Sequence, residues 1–233
     1  MIKLMPILLV IGYGLVMWAF SVWRLKGELD RRSTPLADPE LERAFAPMAR
    51  ALDLDRIKVH IHEVDPVNGM AAPDGRIFLT RGFYRKFKAG EVTAEELASV
   101  VAHELGHVAL GHAKRRLIDF SGQNAIRVVL AGVLGRFLPG IGPWVATMLA
   151  SLVAARLSRQ DEFEADAYAS ALLTRSGIGT APQKALFAKL DRMMGMAGRG
   201  APAWFMSHPP AEKRIAAIEA LESKWGTGGL PAR

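Results

Sequence analysis

The sequence contains no cysteine. Disulfide bonds, thiolate metal ligands, a cysteine nucleophile and a lipid-modified cysteine anchor are therefore all excluded. This absence does not by itself identify the redox compartment. Histidine is also scarce, with only six residues in the chain.

Acidic residues are fewer than basic ones, 23 against 30, which gives a net charge of +7. A basic chain can bind nucleic acid, but here the basic residues are scattered and no basic stripe interleaved with aromatic residues is present. We therefore predict no nucleic-acid partner. An anionic lipid bilayer fits the charge better.

Residues 4–23 carry no charge. A helix of this length is about 30 Å long, which is enough to cross a bilayer, so we predict an N-terminal transmembrane helix. A cleaved signal peptide is the alternative, but the apolar run exceeds the usual length of about 7–15 residues, and no A-x-A cleavage site follows it.

Positive charge is concentrated after this span. Lys3 precedes the span, whereas Arg24, Lys26, Arg31 and Arg32 follow it. The positive-inside rule predicts a single-pass protein of the cell membrane whose main domain is cytoplasmic. Lys3 and the amino terminus weaken this asymmetry, so an extracytoplasmic domain stays open as the alternative.

The remaining chain divides into a linker over residues 24–39, a folded domain over residues 40–225 and a flexible tail over residues 226–233. Residues 125–157 are apolar and interrupted by Pro139-Gly-Ile-Gly-Pro143, which predicts a helical hairpin. Each arm is short for a membrane span. A hairpin that is buried or lies in the membrane interface is therefore favoured, and full insertion stays open.

Within the folded domain, hydrophobic periodicity predicts helices over Pro39–Leu52 and Pro182–Met196 and a strand over Arg56–Val64. In that strand, His60 and His62 alternate with hydrophobic residues, and we expect them to be polar residues that face solvent rather than a metal site. The fold class is α+β, mostly helical, with a small β-sheet.

The most informative stretch is Thr93–Ala113, TAEELASVVAHELGHVALGHA. Thr93 and Glu96 form a T-x-x-E capping box, which predicts a helix that begins near Ala94. Hydrophobic residues then recur at helical spacing, so one face of this helix is expected to be buried.

This predicted helix carries a complete H-E-x-x-H motif. His103 and His107 are one turn apart on the same side, so their imidazoles can chelate one Zn²⁺ ion. Glu104 lies beside that line, where a carboxylate can take a proton from a zinc-bound water. The alternative is that the two histidines lie on the surface of a helix and bind no metal.

A third ligand must come from elsewhere, and the segment SRQDEFEADAY at residues 158–168 offers four acidic residues. Glu162 and Asp166 share a helix face, whereas Glu164 lies on another. Glu162 can bind the metal while Asp166 accepts a hydrogen bond from a ligand histidine. The alternative is a solvated acidic turn near the start of a helix.

The order of HELGH, EFEAD and SHPPAEKR resembles the HtpX-type and CAAX-prenyl-protease family of zinc metallopeptidases, in which HExxH is followed by ExxxD. The resemblance runs from about Pro35 to about Leu221. It implies a zincin-like domain with one Zn²⁺ per chain bound by His103, His107 and Glu162. Glu104 would be the general base and Asp166 the partner of a ligand histidine. The metzincin pattern HExxHxxGxxH is absent, because the next histidine lies five residues beyond His107.

Two further segments extend the resemblance. Residues 68–83 are similar to the family's N-A-x-x-x-x-G-x-I strand, although Gly69 stands where alanine is common. An extended peptide substrate would pair with the open edge of the strand over Arg76, Ile77, Phe78, Leu79 and Thr80, although an internal strand of a small sheet stays open. In the second segment, His208 would reach the zinc cleft and stabilise the oxyanion, and Arg214 would anchor the loop by pairing with an acid.

The sequence therefore predicts a membrane-anchored zinc metalloendopeptidase that hydrolyses internal peptide bonds of membrane-associated peptides or proteins. Quality control of membrane proteins and cleavage of one dedicated target both remain open. The rival functions are a catalytically silent zinc-binding chaperone or adaptor at the membrane, and a purely membrane-interacting protein. Processing of prenylated proteins fits less well, since that role in the family accompanies many membrane spans.

Overall fold

The computed structural model describes residues 26–72, 74–112, 141–197 and 210–228, with isolated positions at 12, 13, 16, 19, 20, 23, 24 and 136. The described strands are β1 Ser33–Pro35, β2 Val59–His62, β3 Gly69–Ala71 and β4 Ile77–Thr80. The helices that follow or separate them are α1 Pro39–Ala51, α2 Arg81–Lys88, α3 Ala94–Ala109, α4 Gly142–Arg175, α5 Ala181–Ala197 and α6 Ala211–Gly228. The α+β class, mostly helical with a small sheet, is confirmed.

The four strands form one sheet in the order β1-β2-β4-β3. β1 and β3 run antiparallel to their neighbours, whereas β2 and β4 are parallel. β1 lies inside the expected linker, and residues 26–31 of that linker are helical, so most of this segment is structured. Pro35 is compatible with β1 because an edge strand tolerates a missing backbone N–H.

The two histidines of β2 differ from the expectation. His62 is buried, and its Nδ1 lies 3.0 Å from Oγ of Ser33 on β1. His60 is half-buried and stacks against the ring of Phe78. The expectation that both face solvent is wrong, because β1 and the neighbouring strands cover positions that would be solvated on an isolated strand.

α3 begins at Ala94, as the capping box predicts. Oγ of Thr93 accepts from the backbone N–H of Glu96, whose side chain accepts from the backbone N–H of Thr93. The helix is buried over most of its length among α1, α4, α5 and the sheet. Its contribution to the hydrophobic core comes from Ala94, Leu97, Ala98, Val100, Val101 and Ala102.

α4 is a continuous helix of 34 residues, about 51 Å long. The acidic segment lies in its interior, and Glu162 and Asp166 are buried. The alternative of a solvated acidic turn at a helix start is therefore wrong. Of the expected hairpin over residues 125–157, residues 142–157 form the first half of α4, and residues 125–140 lie outside the described residues apart from position 136.

In the described part of the chain, no helix is both long enough and apolar enough to cross a membrane. Most of residues 4–23, where a transmembrane helix is expected, lie outside that part.

The C-terminal helices pack together and extend further than expected. Lys184 of α5 lies 2.8 Å from Glu222 of α6, which also accepts from the hydroxyl of Thr180. α6 continues to Gly228, three residues into the segment expected to be flexible. This pairing fixes the second half of α6 on α5, while Arg214 near the start of α6 contacts Asp166 on α4.

Candidate metal centre

Two helices bring the candidate ligands together: His103 and His107 lie on α3, and Glu162 lies on α4. Nε2 of His103 is 3.1 Å from Nε2 of His107 and 3.3 Å from Oε2 of Glu162. Nε2 of His107 is 3.5 Å from Oε1 of Glu162. One donor atom of each residue therefore lies within 4.8 Å of the other two.

These donor atoms fit a zinc ion. With bonds of about 2.0–2.1 Å, a tetrahedral ion holds its ligands about 3.3–3.4 Å apart. The observed separations of 3.1, 3.3 and 3.5 Å, of which the last two run to different oxygens of Glu162, are close to that value. Two imidazoles and one carboxylate form a donor set of catalytic zinc sites, which keep a fourth position open. The chemistry and spacing of the three residues agree with zinc.

Gly106 allows the two helices to meet at this point. A Cβ atom on Gly106 would lie 3.0 Å from the carbonyl oxygen and 3.1 Å from Cα of Ala165 on α4. Because both neighbours belong to the backbone of a helix, they cannot move aside as a flexible side chain can. A glycine between the two histidines thus permits the approach that brings Glu162 to them.

His103 is held from behind by a buried ion pair. Its Nδ1 lies 2.8 Å from Oδ1 of Asp166. Arg214 of α6 donates to both oxygens of Asp166, each over 2.6 Å, and its guanidinium stacks on the ring of Phe187. The expectation that Arg214 pairs with an acid is confirmed, and the acid is Asp166.

These contacts set the charge states in the metal-free protein. Burial by itself lowers the pKa of His103, but hydrogen bonds with Asp166 and then Glu162 outweigh burial and raise the pKa to about 9. Burial by itself raises the pKa of Asp166, and the charge and hydrogen bonds of Arg214 outweigh it and hold the pKa at about 2. A metal ion that binds His103 therefore displaces a proton.

Glu104 is buried beside the three donor atoms, with 4% of its surface exposed. Burial raises the pKa of its carboxyl group to about 7, and the charge of Glu162 adds to this effect. Its carboxylate also accepts a hydrogen bond from the backbone N–H of Ala71 on β3. Glu104 thus combines the raised pKa of a general base with a direct contact to the sheet.

The strand expected to offer an open edge is in the interior of the sheet. β4 pairs with β2 on one side and with β3 on the other, so the assignment of Arg76–Thr80 as the edge beside the site is wrong. The end strand on this side is β3, whose Ala71 contacts Glu104. A small sheet in which β3 folds back on β4 places this end strand over the helix, which alternation of residue types alone does not reveal.

No role was predicted from the sequence for two residues on the far side of His107, which are His112 and Glu164. Nδ1 of His112 lies 2.7 Å from Nδ1 of His107, and Nε2 of His112 lies 3.3 Å from Oε2 of Glu164. The signal in the sequence is Gly111. It has φ 66° just after α3 ends, and a glycine in this conformation turns the chain back toward the last turn of its helix. His208 lies outside the described residues.

A family model described as Peptidase family M48 matches residues 35–222 of the chain. Protease HtpX of Thioalkalivibrio sulfidiphilus is 31% identical over 66% of this chain and 60% of its own length. Metalloprotease LoiP of Escherichia coli is 29% identical over 80% of this chain and 73% of its own length. A protease HtpX homologue of Chlorobium phaeovibrioides is 29% identical over 90% and 83%.

Some of these relatives are longer than the matched region. The chain spans 60% of the Thioalkalivibrio protease and 53% of a protease HtpX homologue of Verminephrobacter eiseniae. The family model, by contrast, covers most of this chain and includes both helices that carry the candidate ligands. The comparisons thus agree with the resemblance in the sequence, and the chain belongs to peptidase family M48.

Proposed function

We propose that this protein is a membrane-anchored, zinc-dependent endopeptidase that hydrolyses internal peptide bonds. The observation that carries the proposal is the position of Glu104. A buried carboxyl group with a pKa of about 7 stands beside three donor atoms with the spacing of zinc ligands. A structural zinc ion is enclosed by four protein ligands and binds no reactive water, so a structural site needs no such base.

His103, His107 and Glu162 would hold the ion, and Asp166 would orient His103 through its hydrogen bond. Zinc supplies a Lewis acid that lowers the pKa of water from 15.7 to about 7 and polarises a carbonyl group. A nearby cation also favours the ionised form of Glu104. Its carboxylate is then ready to accept a proton at neutral pH.

Glu104 takes a proton from the water that attacks the scissile carbonyl and passes it to the leaving amine. The oxyanion that develops needs a hydrogen-bond donor near the metal. We assign this donor to His208 on the basis of the SHPP motif.

The peptide substrate would pair with β3 rather than with β4. In the β3–β4 pair, the backbone N–H groups of Thr80 and Ala72 bond to the carbonyl groups of Asn68 and Arg76. Because pairing alternates along an antiparallel strand, Gly69 and Ala71 direct their backbone groups away from β4. The N–H of Ala71 bonds to Glu104, so the carbonyl groups of both residues and the N–H of Gly69 are the groups that would pair with a substrate. A substrate strand placed there lies next to Glu104 and is held through its main chain, which favours broad specificity.

Residues 4–23 would anchor the enzyme, with the peptidase domain on the cytoplasmic side. The support is the uncharged run followed by four of the five nearby basic residues. Membrane-associated proteins are then the nearest substrates, and quality control of such proteins is one role that this placement supports.

The proposal is tested by a time course of casein cleavage with the detergent-purified, zinc-loaded full chain. Glu104→Gln keeps the shape of the side chain but removes the base, so we expect cleavage to slow about 10²–10⁴-fold. Zinc content, measured by atomic absorption, should remain at one ion per chain. Glu95→Gln is the matched control, because Glu95 is exposed on the first turn of the same helix.

Equal cleavage by Glu104→Gln and the wild type would contradict the assignment of the base. One zinc per chain without cleavage by the wild type would instead support a zinc-binding chaperone or adaptor. A wild type that binds no zinc would refute both functions.

A further inference from the structure

His107 faces the other donor atoms with only one of its two nitrogens. Its Nε2 lies 3.1 Å from Nε2 of His103 and 3.5 Å from Glu162, so this nitrogen must present its lone pair to a metal ion. A neutral imidazole that binds a metal through Nε2 carries its proton on Nδ1. Nδ1 of His107 is therefore a hydrogen-bond donor in the metal-bound protein.

The group that meets this donor is His112. The two Nδ1 atoms are 2.7 Å apart, and the ring planes are inclined at 73°. Since a hydrogen bond needs one donor and one acceptor, His112 must accept at Nδ1 and carry its own proton on Nε2. Nε2 of His112 lies 3.3 Å from Oε2 of Glu164, and this carboxylate oxygen can accept a hydrogen bond from Nε2–H.

The position of His112 is built by the fold. Only 1% of its surface is exposed. It follows Gly111, whose positive φ turns the chain back beneath the last turn of α3, and α4 supplies the acidic groups on its far side. A buried imidazole with a partner at each nitrogen has one favoured tautomer and one orientation.

We propose that His112 is a positioning residue for His107: it accepts from Nδ1–H of His107, donates to Glu164 and thereby aims the Nε2 lone pair of His107 at the metal. This inference rests on the proposed function, in which His107 binds zinc.

A second metal site is the competing explanation, because His112, Asp161 and Glu164 also bring three ligand atoms within 4.8 Å of one another. A neutral His112 bound to an ion through Nε2 would carry its proton on Nδ1. Two Nδ1–H groups would then face each other over 2.7 Å, and neither could accept. Zinc on His107 therefore disfavours a metal on His112, and the positioning role fits the contact.

The tautomers are read directly by two-bond ¹H–¹⁵N correlation spectra of the zinc-loaded full chain labelled with ¹⁵N-histidine. We expect His107 to be protonated at Nδ1 and His112 at Nε2. No variant is needed for this measurement, so it does not depend on the folding of a mutant. A His112 protonated at Nδ1, or a second zinc ion per chain by atomic absorption, would overturn the inference.

The functional consequence is tested by zinc affinity, measured in competition with a chromophoric chelator. His112→Phe removes the acceptor and is expected to weaken zinc binding about 10- to 100-fold. His112→Asn places an amide oxygen near the former Nδ1 and should restore most of that loss. Rescue by asparagine separates positioning from mere filling of the space, because phenylalanine fills the space better.

The outcomes also separate this inference from the proposed function. If His107→Ala loses zinc while His112→Phe binds it as the wild type does, the positioning role is refuted and the zinc site stands. A wild type that binds no zinc refutes both.

Discussion

The two histidines of the centre are supported in different ways. The inner support consists of His103, Asp166 and Arg214, with side chains no more than 2% exposed. In the outer support, His107, His112 and Glu164, the side chains of His107 and Glu164 are 12% and 34% exposed. The inner support holds a buried ion pair, whereas the middle of the outer support is an imidazole.

This difference separates two properties of one site. The attraction between a buried carboxylate and a buried guanidinium offsets the free energy that each loses on leaving water. A change in either one therefore affects the stability of the whole fold. The outer support lies nearer to solvent, and its loss is expected to affect metal binding more than folding. The mutations below test this separation, from the largest expected effect to the smallest.

Arg214→Met is expected to have the largest effect on stability. It removes the guanidinium that donates to both oxygens of Asp166 and leaves only the imidazolium of His103 beside this buried carboxylate. Breaking a buried ion pair from one side costs about 3–5 kcal/mol of unfolding free energy. Urea denaturation of the metal-free protein measures this loss. Lys213→Met is the control, since Lys213 is the exposed neighbour on the same helix and should change stability by no more than about 0.5 kcal/mol. Equal losses in both variants would contradict the inner support.

The double variant Asp166→Asn with Arg214→Met sharpens the comparison. It removes both buried charges, so most of the lost unfolding free energy should return. The asparagine accepts more weakly from Nδ1 of His103 than a carboxylate does, and zinc binding should stay about 10- to 100-fold weaker than in the wild type. Recovery of stability without recovery of affinity would show that the two properties are separable.

Gly106→Ala acts on both supports at once. The added methyl group meets the backbone of Ala165 at 3.0–3.1 Å, and forcing the helices apart is expected to cost about 1–3 kcal/mol. Because His103 and His107 flank this position while Glu162 lies on the opposite helix, zinc affinity should fall as well. The control is Gly226→Ala, where no atom lies within 4 Å of the new Cβ. An unchanged zinc affinity in Gly106→Ala would contradict the close approach.

Replacing Asp38, a carboxylate away from the metal centre, is expected to have the smallest effect on stability. It caps α1 by accepting from the backbone N–H groups of Glu40 and Leu41, and it also accepts from the hydroxyl of Tyr84. Asp38→Ala is expected to lower the free energy of unfolding by about 1 kcal/mol, both with and without zinc. Asp38→Asn keeps the helix cap and should lower it less. Denaturation of both variants in metal-free and zinc-loaded form measures this.

The same carboxylate predicts a pH dependence. Burial by itself raises the pKa of Asp38, but hydrogen bonds from Tyr84, Leu41, Lys88 and Glu40 outweigh it, so the pKa lies below its ordinary value. A carboxyl group of this kind stabilises the fold above its unfolded pKa of about 3.9, and this stability is lost as the pH falls below that value. In Asp38→Asn, the loss of stability with acid should be smaller. An identical acid profile in both proteins would contradict the assignment.

The sequence by itself determined the elements whose signals are local. The capping box of Thr93 and Glu96 determined the start of α3, because a helix N-terminus is satisfied by residues three positions apart. The spacing of His103 and His107 placed them on one side of that helix, since helical geometry repeats every 3.6 residues. The same periodicity placed Glu162 and Asp166 on one face of α4, and the resemblance of the motifs pointed to peptidase family M48.

Only the tertiary structure decided which elements meet. The exposure of His60 and His62 and the position of β4 were predicted wrongly, because strand pairing depends on segments distant in sequence. Likewise, no local pattern states that Glu164 stands behind His112, that Arg214 pairs with Asp166 in particular, or that Ala71 reaches Glu104. Glu164 lies 52 positions from His112, and Asp166 lies 48 positions from Arg214. Only the packing of α3, α4, α6 and the sheet brings such residues within hydrogen-bond distance.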